Sequence, residues 1–218
     1  MTTPVLLVIG AGPGVSGSLA RLHAEEGYDV GLVGVDTEVL AELTAQLGES
    51  GVRVEAATVD ITDTEAARNA IGLLASAFGR VDVLHFNPSA FREKDPLELS
   101  VAELLEDVAL GVGGLLTAVQ AARPFMPEGA RVTATGSMAA DKPWNRAASL
   151  GVQKAGLRNL VRSLDTTLEP HGIRATTVTV RGALSAGGPF SPDRVAEALR
   201  AAARQDVASW EVEVAYDG

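Results

Sequence analysis

The sequence contains no cysteine, which removes disulfides, thiolate metal sites and cysteine nucleophiles from consideration. That suits a reducing compartment, and the cytoplasm is the expected location. The chain is also short of positive charge. Its 18 Lys and Arg face 28 Asp and Glu, a formal net charge of −10. A phosphate backbone would be repelled at long range, so nucleic acid is not an expected partner. No apolar run approaches the roughly 20 residues of a membrane span. The run nearest the N-terminus, Val5–Ile9, has no basic stretch before it and glycines after it, so neither signal peptide nor anchor is read and no membrane partner is expected. Tyrosines are scarce as well. Only Tyr28 and Tyr216 exist, which limits where a phenolic acid or base can stand.

What is present reads as one globular domain over residues 1–218. A chain of this length buries roughly 70% of the surface its unfolded form exposes, without help from a disulfide or metal. Apolar runs alternate with helical patterns. Val5–Ile9 is a continuous β-branched and leucine run, as in a strand covered on both faces. Asp29–Val33, Val52–Val59, Val81–Phe86, Val132–Thr135, Ile173–Val180 and Trp210–Ala215 follow as strands. Between them lie helices over Ser18–Glu26, Thr37–Leu47, Thr62–Phe78, Ser100–Met126 and Ser149–Leu168, and a last one opened by Ser191-Pro192. Thr62 with Glu65, and Ser100 with Glu103, have capping-box spacing. Strand and helix in strict alternation predict an α/β fold: a doubly wound, parallel, seven-stranded sheet of Rossmann type in a single domain.

The first strand runs into Gly10-Ala11-Gly12-Pro13-Gly14-Val15-Ser16-Gly17, and a helix follows. Glycines at this place let the backbone turn tightly and approach a pyrophosphate at a helix N-terminus. Residues 12 to 17 spell G-x-G-x-x-G with a strand before and a helix after, the context that the motif requires. Asp36 stands about 20 residues beyond the last of these glycines, where a ribose-binding acid is expected; it reads equally as the cap of the next helix.

This loop, together with Asp60 after strand three, Asn87 after strand four, Ser137 after strand five and Lys154 in the next helix, resembles the short-chain dehydrogenase/reductase family. The resemblance spans about residues 5 to 216. Ser16 stands where the family's third loop glycine belongs, and strand six ends in Val180-Arg181-Gly182 rather than Pro-Gly, which points to a divergent branch. The resemblance implies that NAD or NADP is held by Gly10, Gly12, Pro13, Gly14 and Val15 at the loop. Asp60 and Ile61 would meet the adenine. Asn87, Lys154, Gly182 and Leu184 would line the rest of the crevice. At Gly34 and Val35, where the family carries its NAD-type acid or NADP-type arginine, neither is found. Asp60, Asn87, Ser137 and Lys154 also have plainer readings as a cap, two turn residues and a surface lysine.

By the same resemblance, catalysis uses a tyrosine four residues before the lysine, the serine, and an asparagine in the preceding long helix. Ser137 and Lys154 are kept. The tyrosine position is Leu150, thirteen residues past Ser137, and the asparagine position is read as Ala109. Leucine neither donates nor accepts a proton. The expectation is an atypical NAD(P)-dependent oxidoreductase with no catalytic metal, acting on a small molecule that needs little proton donation. The alternative is a non-catalytic cofactor-binding protein, a sensor or scaffold. Gly111, Gly113 and Gly114 fall mid-helix, where close approach of another backbone would account for them, as would a locally distorted helix packed only within the chain; a homodimer or homotetramer is expected. Arg146 and Arg181 are candidates for holding an anionic substrate.

Overall fold

The structure is a computed structural model that describes residues 3–218. Seven strands form one parallel sheet: β1 (Val5–Ile9), β2 (Asp29–Gly34), β3 (Val54–Thr58), β4 (Val83–Phe86), β5 (Arg131–Ser137), β6 (Arg174–Val180) and β7 (Glu213–Tyr216). Their order across the sheet is β3-β2-β1-β4-β5-β6-β7. The helices are α1 (Val15–Glu25), α2 (Thr37–Gly48), α3 (Thr64–Phe78), α4 (Val101–Val108), α5 (Gly114–Ala122), α6 (Ala148–Leu168) and α7 (Pro192–Ala203). The expected doubly wound α/β sheet is what the chain forms.

Alternation along β1 explains the two layers. Leu6 and Val8 pack with Ala20, Leu40 and Leu43 on one face, whereas Leu7 and Ile9 pack with Ile71, Leu115 and Leu157 on the other. Every residue of β1 is buried, as a central parallel strand requires. The strand order reverses between β1 and β4, and a crevice opens beyond the carboxyl ends of the strands at that switch point.

Two expectations about helix ends are corrected or confirmed by hydrogen bonds. The Ser100–Glu103 capping box forms in both directions. The Thr62–Glu65 box does not: Thr62 donates its N–H and hydroxyl to Asp60, and Asp63 instead caps α3 by accepting from the Ala66 N–H. The long helix expected over Ser100–Met126 is interrupted by a π turn, Ala109–Gly113, between α4 and α5. A Cβ at Gly111 would lie 2.6 Å from Oε1 of Gln153, and one at Gly114 would lie 2.8 Å from Ile61. Both glycines are therefore accounted for by packing within the chain, not by a second subunit.

Candidate functional site

The crevice has two ends joined by the glycine loop. Gly10 has φ +79°, and a Cβ there would lie 2.7 Å from Pro88, so only glycine allows the chain to turn off β1 at this point. Ser16, in the place of the third family glycine, ties the loop shut. Its Oγ accepts from the Gly12 N–H at 3.0 Å and donates to the Gly10 carbonyl at 3.1 Å. Beyond the loop α1 begins at Val15 with Gly14 as N-cap and no side chain capping it. Its first N–H groups and the helix dipole thus favour an anion. A Cβ at Gly12 or Gly14 would meet nothing within 4 Å, so the crest of the loop presents bare backbone to open space. This cradle fits a pyrophosphate, the group that the sequence implied.

On one side of the loop is an apolar pocket of about 190 Å³. Gly10, Gly34, Val35, Val59, Ile61 and Leu110 are among its walls. Asp36 and Asp60 are not wall residues, but each adjoins one. Asp36 caps α2, accepting from the Glu38 and Val39 N–H groups. Asp60 accepts two hydrogen bonds from Thr62, which hold its carboxyl below the usual range.

On the other side lies a cleft of about 340 Å³ lined by Gly14, Val15, Asn87, Thr135, Ser137, Leu150, Lys154, Gly182 and Leu184, among others. Ser89 borders both spaces. Residues from five separate segments thus meet at the carboxyl ends of the strands, as the sequence reading expected of most of them. Gly12 and Pro13 line neither space; they form the crest between the two.

Among the described residues, Lys154 is the only ionisable side chain lining the cleft. It is buried, and Nζ donates to the Thr135 carbonyl at 2.8 Å. Burial pushes its pKa down to about 8. The surface-lysine reading is thereby replaced. Ser137 Oγ accepts from the Ala139 N–H at 3.2 Å, leaving its own proton to donate. The Asn87 side chain accepts from the Thr135 hydroxyl at 2.7 Å. Behind them His85 is fully buried between Thr133 and Thr135, with its pKa driven down to about 3 by desolvation. It is a neutral core histidine and borders no cavity of the site.

Several candidates fall outside. Ala109 is exposed and lines neither space; the residues of the π turn that face α6 are Gly111, against Gln153, and Val112, against Gly156. Sequence reading missed Gln153. Its amide accepts from the Ala90 N–H and donates to the Ala90 carbonyl, stapling the loop after β4 to α6 beside Lys154. The signal was the unexplained glycine, which marked a close approach from an unexpected direction. Arg146 pairs with Glu93, and Arg181 with Asp217 at 3.4 Å. Neither lines the cleft, so no arginine stands there for an anionic substrate. Tyr216 lines neither space. Its hydroxyl donates to the Pro189 carbonyl at 2.6 Å and its ring meets Phe190 edge-on, so it pins the short loop that carries Leu184.

Comparison with known proteins agrees with this layout. The short chain dehydrogenase family matches residues 4–186. A cis-4-hydroxycyclohexanecarboxylate dehydrogenase from Sinomonas cyclohexanicum is 30% identical, covering 89% of this chain and 87% of its own. A D-threitol dehydrogenase from Mycolicibacterium smegmatis is 25% identical over 80% of this chain and 68% of its own. Among solved structures, a metagenomic short-chain oxidoreductase in complex with NADP superposes with a TM-score of 0.88 at 25% identity, over 98% of this chain and 97% of its own. A dehydrogenase/reductase from Sinorhizobium meliloti 1021 shares the fold at 22% identity, TM-score 0.88, over 99% and 94%. With the family pattern matched over most of its length and its glycine loop, serine and lysine gathered at one switch-point cleft, the chain belongs to the short chain dehydrogenase family.

Proposed function

We propose that this protein is an NAD- or NADP-dependent oxidoreductase that interconverts a small carbonyl or imine with its alcohol or amine, and that Leu150 occupies the place of the family's tyrosine. The observation that carries this reading is the lining of one cleft by Ser137, Leu150 and Lys154, continuous with an uncapped helix N-terminus at the glycine loop. Residues 150 and 154 are one turn apart on α6 and so share a face. The matched relatives, named as dehydrogenases and oxidoreductases, and the structural neighbour solved with NADP support it.

When bound, the nicotinamide supplies or accepts the hydride. The remaining work belongs to the chain. The backbone of Gly10–Gly14 and the α1 terminus hold the pyrophosphate. Lys154 donates to a ribose hydroxyl. The Ser137 hydroxyl donates a hydrogen bond to the substrate oxygen or nitrogen and orients it, and the proton gained or lost with the hydride is exchanged with water. Leu150 removes the phenol that relatives use, and positioned proton transfer typically contributes about 10²–10⁴-fold to rate. The chain therefore favours substrates that need least help: imines, or carbonyls already activated. Val15, Val180 and Leu184 join Leu150 as apolar lining of the cleft, and with Lys154 engaged by the ribose an uncharged substrate is expected.

Two finer points are part of the same proposal. The protein resides in the cytoplasm, and it works as a homodimer or homotetramer through α5 and α6, where Leu116, Val119, Leu160 and Leu164 line an apolar groove of about 470 Å³. Light scattering at tens of micromolar checks the second, and a monomer refutes it. The activity is tested by cofactor consumption across a panel of carbonyls and imines. Turnover, best on imines, is expected. Tight dinucleotide binding with no turnover on any member would instead make this a binding protein, a sensor or scaffold.

A further inference from the structure

The amino ends of the strands, opposite the crevice, carry a polar pocket of about 310 Å³. His23, Tyr28, Asp82, Arg131, Arg204 and Gln205 are among its walls, and none of them lines the crevice. Asp82 immediately precedes β4 and Arg131 opens β5. We propose that this pocket is a second binding site, taking a small anion that also carries a hydroxyl group, of the hydroxycarboxylate class. The proposal does not rest on the dinucleotide reading of the crevice.

The anion is called for by Arg131. The other arginines beside the pocket are neutralised: Arg80 pairs with Asp82, and Arg200 and Arg204 share Glu26. Asp82 is engaged further by the Val5 N–H at 2.8 Å. Arg131 is half-buried and makes no ion pair among the described residues. Its Nη1 donates to the Gly129 and Ala130 carbonyls, at 2.7 and 3.0 Å. The Trp210 ring, 5.2 Å away at its centroid, steadies the guanidinium. Nε is sealed without a partner, whereas Nη2 has no partner and stays accessible. Burial, and then the Arg174 charge, lower the pKa of Arg131. Asp165 offers no relief, because Arg174 holds it through two bonds. A partly desolvated cation in a chain of net charge −10 is thus left without a counter-charge, and a guanidinium suits a carboxylate.

The hydroxyl is called for by His23, which is 2% exposed. Nδ1 lies 2.9 Å from the Leu19 carbonyl oxygen, which can only accept. Nδ1 therefore carries the proton and Nε2 is an acceptor. Burial lowers the pKa of the ring and so favours this neutral form. Among the described residues nothing donates to Nε2, and the atom is not sealed from the pocket. Tyr28 meets the ring edge-on at 5.0 Å, and its hydroxyl makes no hydrogen bond in the chain. An anion without a donor would satisfy Arg131 and leave His23 unmet. A carboxylate with a hydroxyl answers both. Gln205 is a fixed wall: its amide is spent on Ala202 and Glu211.

Calorimetry with malate, and with succinate, which lacks the malate hydroxyl, tests both halves. Malate is expected to bind with a Kd on the order of 1 mM. Succinate should bind about fivefold more weakly, as for one lost hydrogen bond to a buried acceptor. Arg131→Gln should weaken malate about tenfold or more. Because Arg131 also packs on Trp210, Arg204→Gln is the second variant. It lies at an exposed position and leaves Glu26 paired with Arg200. It should weaken malate several-fold through lost positive charge, at an unaltered melting temperature. Malate should leave NADH affinity unchanged. Absence of malate binding at tens of millimolar overturns the proposal, as does unchanged malate affinity in both variants. Equal binding of succinate overturns the role of His23. Competition between malate and NADH puts the anion in the crevice and overturns the second site.

Discussion

The two ends of the cleft are built from different materials. The end toward β2 is backbone: a positive-φ glycine, a crest without side chains, a bare helix terminus and an apolar slot. The end toward α6 depends on individual side chains, Ser137, Lys154 and the residue between them along the site, Leu150. Backbone recognition survives sequence drift, because most substitutions leave N–H groups where they were. Side-chain chemistry is lost in one step. The first end keeps the turn and the bare helix terminus of a dinucleotide loop although Ser16 replaces its third glycine; in the proposed reading the second keeps Ser137 and Lys154 and has a hydrocarbon, Leu150, in place of the tyrosine.

The comparison breaks first at the loop. Gly12→Asp should lower dinucleotide affinity by about 100-fold or more, since a carboxylate on the crest faces the pyrophosphate. Space is available for the new side chain, so the melting temperature should hold. Calorimetry on the folded variant that finds unchanged affinity would remove the phosphate from this loop.

Lys154, which we propose holds a ribose hydroxyl, sharpens the contrast, because its burial costs stability. Its folded pKa of about 8 lies below the ordinary lysine value of 10.5. Between those two values the unfolded chain holds more protons than the folded one, so stability contributed through this group rises with pH across that window. Below pH 8 the ammonium is charged in both states and its burial cost is felt in full. Lys154→Met should then stabilise the fold at pH 7 by about 1–2 kcal/mol, a gain that fades toward pH 10.5. The same variant should lose about tenfold in dinucleotide affinity, as expected for a lost charged hydrogen bond. Its affinity should no longer fall as pH rises through 8. Thermal melts and titrations at pH 7 and 10 check both; a variant that is destabilised at pH 7 and binds as before contradicts the assignment.

The fold was legible because each strand is a short apolar run and several helix starts carry their own caps, Ser100 with Glu103 and Ser191 with Pro192. The loop was legible because glycine spacing is local. What could not be read were the long-range pairings. Nothing near Gly111 in the chain names Gln153, and the three mid-helix glycines suggested a subunit contact when two of them answer to side chains of the same chain. Asp36 was ambiguous between cap and ligand. It is a cap by its bonds. Thr62 looked like a cap because the spacing to Glu65 was right, but Asp63 is one residue nearer the helix and a stronger acceptor.

The most direct test of the account is Leu150→Tyr, assayed beside the unaltered protein on one panel of carbonyls with cofactor affinity measured in parallel. A phenol at this place stands near Ser137 and one helical turn from Lys154, whose ammonium would lower its pKa. The account predicts carbonyl reduction raised by about tenfold at unchanged cofactor affinity, a modest part of what a positioned acid gives, since the segment from Ser100 to Met126 holds no asparagine to support a proton relay. A folded Leu150→Tyr protein that binds cofactor normally and shows no gain, or loses the activity of the unaltered protein, would contradict the placement of Leu150 at the proton-donating position.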